Sequence, residues 1–233
     1  DRFHMQDTLE APTAAQTLDR LLSERHSCRA FQPRAVPRSL IEQVFRSAQR
    51  AASWSNVQAW QVSVVSGGAR DALSAALLAA GPDDRSSDFP LPHAYTGVYQ
   101  DRRRECGFQL YDALAIAKGD KEGTARQMKE NFRFFGAPHA AIFSSDPGLG
   151  TYGAIDVGGY VQLVLLAMQA HGLAAIAQGA LAVYSPLVKK QLGIPEERLV
   201  VCGMSFGYED EAHAANSFRT TRAPIEQVVD WRG

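Results

Sequence analysis

An apolar stretch over residues 161–183 constrains the fold of this chain more than any other feature of its sequence. Four polar residues interrupt the stretch: Gln162, Gln169, His171 and Gln178. Because such side chains are costly to place in hydrocarbon, the stretch does not predict a membrane span. It predicts a buried helix over residues 155–170, followed by a strand over residues 172–178 in the core of a domain.

Shorter helices and strands surround that central unit. The β-branched content of residues 60–66 predicts another strand, and we expect two more over residues 139–145 and 198–207. Apolar residues at helical spacing predict six more helices, over residues 17–24, from 39 onward, 69–80, 100–118, 121–132 and 185–193. Since helices and strands do not alternate strictly, the pattern indicates an α+β domain.

A long loop and an N-terminal arm complete the predicted organisation. Residues 81–98 contain three prolines and two glycines, which predicts a surface loop of the kind that serves as a lid or binding segment. Residues 1–16 are expected to be a flexible arm, in which His4 and Met5 resemble a vector junction and a natural start. With no repeat or linker in the sequence, residues 17–233 are predicted to be one domain.

Composition narrows the possible partners. A net charge of −1 argues against a nucleic-acid-binding surface, and 45% hydrophobic residues indicate a soluble globular protein. The first residues lack the apolar core of a signal peptide, and three cysteines stand far apart at Cys28, Cys106 and Cys202. We therefore expect a cytoplasmic protein with no membrane partner. The six histidines show no metal-ligand spacing, so no metal site is predicted.

Residues 148–153 match the GxGxxG pattern of dinucleotide-binding proteins between a predicted strand and a predicted helix. Asp146 precedes the first glycine, where a carboxylate would oppose a pyrophosphate. No acidic residue between Asp156 and Glu196 is available to hold a ribose. We interpret this segment as a strand-to-helix turn.

Residues 203–207 match the GxSxG pattern of serine hydrolases. A nucleophile elbow must lead directly into a helix, but the sequence after this motif has no helical period. Only Asp210 and His213 follow closely. We interpret Ser205 as a small residue on a buried strand, and a serine hydrolase stays as a distant alternative.

Positive charge is concentrated in two segments far apart in the sequence. The turn after the first predicted helix carries Arg25, His26 and Arg29 around Ser27, and the tail carries two further arginines beside Thr220. Guanidinium groups bind phosphate in a bidentate manner, and hydroxyls add donors. The two segments could form one phosphate site if the fold brings them together, although either one alone is also typical of a solvated basic surface.

The sequence around these cations resembles the FMN-dependent nitroreductase family. The similar segments are RHSCRAF (25–31), PRSLIEQVFRSAQRAASWSNVQAWQVSVVS (37–66), GLAAIAQGAL (172–181) and NSFRTTRAPIEQVVDW (216–231). RRRECGFQLYDAL and NFRFFGAPHAAIF are similar to the nitrobenzoate-reductase branch in particular. The resemblance implies an α+β fold with a central mixed or antiparallel sheet flanked by helices, in a homodimeric, FMN-binding domain.

The resemblance also implies which residues bind FMN. The basic turn would grip the phosphate and ribityl chain through Arg25, His26, Ser27 and Arg29. The loop after the second helix would reach the isoalloxazine ring of the partner subunit through Ala52, Ser53, Trp54 and Asn56. The remaining contacts would come from Asn131 at the pyrimidine edge, from Ala177, Gln178 and Gly179 toward N5, and from Arg222 with Arg219 at the phosphate.

The implied activity is reduction of a nitroaromatic compound, with a nitrobenzoate as the specific candidate and the hydroxylamine as product. NADH or NADPH would donate hydride to FMN and leave before the oxidant binds, which is a ping-pong order. Since the cofactor carries the chemistry, no catalytic side chain is expected. The apolar helix over residues 155–170 is a candidate dimer contact, with an ordinary core helix as the alternative.

The pocket shape and the substrate are the least constrained parts of this interpretation. Alanine stands at positions 52, 59 and 177, where the family often has proline, and Trp54 is bulky at a usually small position. Aromatic residues that could wall the substrate pocket, and that could equally belong to the core, are Tyr95, Tyr99, Phe108, Tyr111, Phe132 and Phe134. Cations available to a carboxylated substrate are Arg102, Arg103, Arg104 and Arg133, although the run over residues 102–104 is more typical of a solvated helix face. Quinone, enone or reductive dehalogenation chemistry, or non-catalytic flavin binding, stay open as alternatives.

Overall fold

The computed structural model describes residues 11–233. This part of the chain contains seven α-helices and four strands, joined by loops and short 3-10 turns. The helices are α1 (Ala14–Glu24), α2 (Arg38–Ala48), α3 (Gly67–Ala79), α4 (Gly97–Ala113), α5 (Lys121–Lys129), α6 (Gly150–Ala170) and α7 (Ser185–Leu192). The strands are β1 (Gln61–Ser66), β2 (His139–Ser145), β3 (Ala174–Gln178) and β4 (Leu199–Gly207). The expected junction at His4 and Met5 and most of the predicted arm lie outside the described residues.

The four strands form one antiparallel sheet in the order β1-β2-β4-β3. β2 is buried along its whole length, and β1 and β3 form the two edges. Because successive side chains on a strand point to opposite faces, β2 directs Ala141 and Phe143 to one face and Ala140 and Ile142 to the other. The α+β prediction is therefore confirmed, with an antiparallel sheet.

Helices cover both faces of the sheet. On one face α2 and α6 pack over Phe143 and Met204, and Trp60 stacks on Tyr160 with ring centroids 4.6 Å apart. On the other face α3 and α7 pack over Ile142. Each face thus carries its own apolar core.

The predicted central helix is α6, and it has two different faces. One face buries apolar residues on the sheet, among them Val157, Val164 and Met168, whereas Tyr152 and Ile155 are exposed. Within the described chain, Pro147–Ala170 alone is long and apolar enough to cross a bilayer by length and composition. Its packing against the sheet accounts for that apolar character.

Helix ends differ from the predictions where local hydrogen bonds decide them. α1 begins at Ala14, inside the predicted arm, because Thr13 and Gln16 form a capping box with hydrogen bonds of 2.8 and 3.2 Å. α4 covers Gly97–Ala113 and not residues 100–118. It ends early because Ala115 has a positive φ of 53° and the N–H of Ile116 donates to the Tyr111 carbonyl at 2.8 Å.

Candidate functional site

The basic turn after α1 lies along the free edge of β3. Ser27 forms a parallel bridge with Ala175, and the N–H of Cys28 donates to the Ala175 carbonyl at 3.2 Å. The Cys28 side chain is fully buried, and this burial raises the pKa of its thiol to about 12. Cys28 therefore anchors the turn to the sheet as an unreactive thiol.

A buried asparagine joins the C-terminal tail to this turn. The Asn216 amide oxygen accepts the N–H of Arg29 at 2.7 Å, and its amide nitrogen donates to the Ala30 and Asp210 carbonyls at 2.9 and 3.0 Å. Arg219 in turn donates to the Asn216 carbonyl at 2.7 Å. Sequence reasoning missed Asn216 as a site residue. Its hydrogen-bond partners at the basic turn are distant in the sequence, so no local pattern reveals them. The one sequence signal for Asn216 was its position at the start of the NSFRTTR segment.

This join brings the predicted cationic segments together. Burial, and then the neighbouring Arg222, lower the pKa of the Arg25 guanidinium, and burial lowers that of Arg29. Between residues 11 and 233, no carboxylate forms a salt bridge with Arg25, Arg29, Arg219 or Arg222. Guanidinium groups that form no salt bridge are suited to an anionic ligand, although Glu105 lines the same cavity as Arg222.

His26 has a different environment from the arginines around it. Its Nε2 lies 2.9 Å from Oε1 of Glu209, and its Nδ1 lies 3.1 Å from the Glu24 carbonyl. Both ring nitrogens therefore already have protein partners. His26 is more suited to fixing the turn than to gripping a phosphate with its side chain.

A cavity of about 430 Å³ opens beside Arg29. It brings together five of the predicted site residues: Arg29, Asn131, Ala177, Gln178 and Gly179. α4 and α5 close its other side with Arg103, Leu110, Tyr111, Gln127 and Met128. Its position at the end of β3 matches the place predicted for the ring of a cofactor.

Hydrogen bonds to both amide atoms fix the Gln178 side chain in the lining of this cavity. Its Nε2 donates to the backbone and side-chain oxygens of Asn131 at 2.9 and 3.3 Å, and its Oε1 accepts the Ser205 hydroxyl. The Gln178 side chain therefore positions the backbone of residues 178–179 and does not itself reach into solvent.

Ser205 is fully buried, with Gln178 as its hydrogen-bond partner. That environment agrees with a packing residue and not with a nucleophile beside a base. Gly203, two residues before Ser205, has a packing role as well, since a Cβ at that position would lie 2.3 Å from Cδ1 of Leu181.

The GxGxxG segment forms the predicted turn from β2 into α6. The Asp146 carboxylate accepts the Gly148 N–H at 2.8 Å, so that N–H already has an anionic partner. A Cβ on Gly153 would lie 2.5 Å from Oγ of Ser145, and Gly150 has a positive φ of 53°. These glycines therefore serve a tight turn and close packing.

The predicted loop over residues 52–56 lies beside α6 and does not line the 430 Å³ cavity. The Trp54 N–H donates to the Asp156 carboxylate at 3.2 Å, and the exposed Trp54 ring makes an edge contact with Tyr152 at 4.3 Å. Ser55, Asn56 and Gln58 all have positive φ, at 46°, 57° and 52°. Such strained backbone is found where a fixed loop shape is needed. Asn56 instead lines a separate cavity of about 1140 Å³, together with residues of α2 and β1.

The predicted substrate-wall residues are dispersed. Tyr111 lines the cavity, while Tyr95, Tyr99 and Phe108 are exposed. Phe134 is fully buried, so it belongs to the core, which was the alternative left open for these aromatic residues. Arg103 lines the cavity and its guanidinium lies 5.3 Å from the Tyr95 ring centroid. Arg133 pairs with Glu130 at 2.9 Å.

No group of three or more metal-ligating side chains lies together in residues 11–233. The chemistry available at the cavity is therefore described by its arginines, its amides and its aromatic wall.

Comparison with known proteins gives consistent matches. Residues 22–208 match the model of the Nitroreductase family. Nitroreductase NfnB of Mycolicibacterium smegmatis is 40% identical over 217 residues, which cover 92% of each chain. The 4-nitrobenzoate reductase of Pseudomonas putida is 37% identical over 218 residues, covering 92% of this chain and 95% of that protein. The crystal structure of the FMN-dependent NfnB from Mycobacterium smegmatis in complex with NADPH has a TM-score of 0.90 and 38% identity, covering 95% of this chain and 100% of that one.

Proposed function

Because the chain belongs to the nitroreductase family, we propose that it is an FMN-dependent NAD(P)H oxidoreductase that reduces nitroaromatic compounds. The observation that carries the proposal is the meeting of two arginine-bearing segments, in which Arg25, Arg29, Arg219 and Arg222 form no salt bridge within the described chain. Of these four arginines, Arg29 lines the 430 Å³ cavity. We propose a nitrobenzoate as the substrate, which the similarity to the 4-nitrobenzoate reductase of Pseudomonas putida supports. Three free cysteines support a reducing, cytoplasmic location.

The residues at the cavity fit FMN. Arg25 and Arg222 would hold the phosphate. Burial and repulsion by Arg222 lower the pKa of Arg25, and a bound anion would offset both effects. Thr220 supports this site, because its hydroxyl accepts from Arg222 at 2.8 Å and so directs that guanidinium. Asn131, Arg29 and the backbone of residues 177–179 would hold the ring.

Bound there, FMN would supply hydride chemistry in ping-pong order. Reduction of a nitro group to the hydroxylamine takes four electrons, so two NAD(P)H would be consumed for each product molecule. The chain orients the reactants and excludes water. The Ser205–Gln178–Asn131 hydrogen bonds fix the cavity floor, and Leu110 and Tyr111 of α4 cover it. No side chain at the cavity is needed as an acid or a base, so we assign no catalytic residue.

We propose a homodimer in which each chain completes the other's site. The exposed face of α6 carries Tyr152 and Ile155, and Trp54 packs on that same face. A partner chain that packs on this face of α6 would therefore contact both the apolar surface and the strained loop over residues 52–56. This arrangement would give the loop its predicted contact with the cofactor.

The test is cofactor binding in arginine variants. Arg25→Gln and Arg222→Gln should each weaken FMN binding about tenfold, because each removes one charge-assisted contact to phosphate. Titration of the apoprotein with FMN, followed by flavin absorbance, measures the dissociation constant. Arg46→Gln, on the exposed face of α2, is the matched control and should leave it unchanged.

Activity decides between enzyme and binder. NADPH should bleach the flavin bands, and 4-nitrobenzoate should restore them; NADH, a quinone and an enone tested in the same way measure donor and acceptor preference. A yellow protein that no hydride donor bleaches would be a flavin binder, and the proposal would be wrong. Loss of activity in Ser205→Ala with FMN still bound would also contradict it.

A further inference from the structure

A second cavity, of about 540 Å³, lies between α3, α5 and the loop over residues 80–91. Its apolar walls include Leu77 and Leu78 of α3 and Phe132, Val183 and Tyr184. It shares only Met128 and Asn131 with the lining of the cofactor cavity. Of the residues assigned above to FMN, Asn131 alone lines this cavity, so most of the space lies outside the proposed cofactor site.

Hydrogen bonds hold the walls of this second cavity in place. Ser86 pairs with the segment before α7, since its N–H donates to the Val183 carbonyl at 2.8 Å and its carbonyl accepts the Ser185 N–H at 3.0 Å. The Phe132 carbonyl accepts the Ser74 hydroxyl at 2.7 Å. The Phe132 ring packs edge-on against Tyr184 at 5.4 Å. The cavity is therefore preformed.

The charged side chains that line this second cavity are all positive. Arg85 and Lys129 are the charged residues that line the cavity, and no carboxylate is among the lining residues. Within residues 11–233 neither cation forms a salt bridge. The hydrogen bond from Arg85 Nε to the Tyr184 hydroxyl is long, at 3.4 Å, which leaves most of the guanidinium donors free for a ligand.

We propose that this cavity binds an aromatic carboxylate, at a site separate from the reduction. The ring would lie against the leucines and the Phe132–Tyr184 pair, and the carboxylate would face Arg85, with Lys129 adding positive charge. A volume of about 540 Å³ is typical of small-molecule sites. Apolar walls with a few converging polar groups are also typical of them. The proposal does not depend on FMN chemistry.

The test is calorimetric titration of the FMN-loaded protein with 2-naphthoate, and with 2-naphthylmethanol as its uncharged counterpart. The acid should bind at least about tenfold more tightly than the alcohol, because only the acid can pair with Arg85. Arg85→Gln should remove that difference by weakening the acid alone. Lys129→Gln should weaken the acid to a smaller extent, and Lys121→Gln, on the same helix but outside the lining, should not.

A filling variant distinguishes this cavity from the cofactor cavity. Ala125 lies on the exposed side of α5 and lines only the second cavity of the two, so Ala125→Phe should abolish binding of 2-naphthoate. FMN affinity and bleaching by NADPH should stay unchanged in that variant. If the wild-type protein does not bind the acid at millimolar concentration, or if Arg85→Gln and Ala125→Phe both bind it as the wild type does, the inference is overturned. Failure of the proposed function would appear instead as absent flavin reduction.

Discussion

At the residue scale, buried polar side chains join segments that are distant in the sequence. Gln178 connects β3 to Asn131, and Asn216 connects the tail to the basic turn. His139 connects β2 to two further segments, since Nε2 accepts the Val36 N–H at 2.9 Å and Nδ1 hydrogen-bonds with Ser66. Because a buried polar group is costly without a partner, each of these side chains fixes the backbone around it.

His139 predicts a pH-dependent stability. Burial, and then the charge of Arg70, lower the pKa of His139 below the ordinary 6.5, so the folded protein keeps it neutral. The unfolded chain takes up a proton as the pH falls through that ordinary value. Below that pH the unfolded state binds more protons than the folded state does. The free energy of unfolding should therefore decrease as the pH is lowered, by at most about 1.4 kcal/mol per pH unit from this group.

Urea unfolding at about pH 7.5 and about pH 5.5 measures this effect. His139→Gln keeps an acceptor for the Val36 N–H but cannot be protonated, so the variant should show a smaller loss of stability at the lower pH. His93→Gln, at an exposed position, should behave as the wild type does. Equal losses in wild type and His139→Gln would contradict the assignment.

Five predicted site residues that lie inside contiguous motifs meet at one cavity: Arg29, Asn131, Ala177, Gln178 and Gly179. Their contact with a cofactor stays a prediction. Asn216 and the pairing of His26 with Glu209 were not predictable, because both depend on where a tail without periodicity folds back. The sequence left Phe134 open between core and pocket wall, because aromatic residues serve both places.

At the scale of elements, the loop between α3 and α4 has a fixed part and an exposed part. The Asp88 carboxylate accepts from the Ser185 hydroxyl, from the Val200 N–H at 2.7 Å and from Lys189 Nζ at 3.0 Å. Burial opposes ionisation of Asp88, but these hydrogen bonds outweigh it and lower its pKa. Residues 90–99 are exposed. A lid or binding segment stays a prediction, and we expect any such movement in the second half of the loop.

Asp88→Asn should destabilise the protein by about 2–3 kcal/mol, because the variant loses a charge-assisted contact and leaves the buried Lys189 without its carboxylate. Chemical denaturation at neutral pH measures the change. Asp83→Asn, at an exposed position of the same loop, should stay within about 0.5 kcal/mol of the wild type. Similar effects of the two changes would show that Asp88 does not pin the loop.

Strand positions were the most predictable elements, and helix ends were the least. The predicted bounds of β1, β2 and β4 lie within a residue of the observed ones, because apolar and β-branched residues extend over much of each strand. The start of α1 and the end of α4 instead depend on one capping box and on one residue with positive φ. Such single local choices leave little trace in hydrophobic periodicity.

At the scale of the whole molecule, α6 links the two halves of the proposed dimer. Its buried face closes the core of one chain, and its exposed face carries Ile155, which is 58% exposed. Ile155→Asp should raise the dimer dissociation constant at least about 100-fold, because a two-fold interface contains the change twice. Size-exclusion chromatography with light scattering, over a range of concentrations, measures it.

The same Ile155→Asp variant should bind FMN more weakly, because the partner's loop over residues 52–56 would no longer be supplied. Ala75→Asp, which adds the same charge to an exposed position on α3, should leave mass and cofactor binding unchanged. A monomer that binds FMN with wild-type affinity would show that one chain forms the complete site.

The join at Asn216 also has a consequence for the timing of biosynthesis. Its hydrogen bond to Arg29 spans 187 residues of sequence, and Arg222 follows it in the chain. Once all four strands have left the ribosome the sheet is therefore complete, while Asn216 and the tail arginines of the proposed phosphate site have still to emerge. If that site holds FMN, cofactor loading waits for this last segment, so we expect a chain cut short before Asn216 to keep its core yet remain colourless.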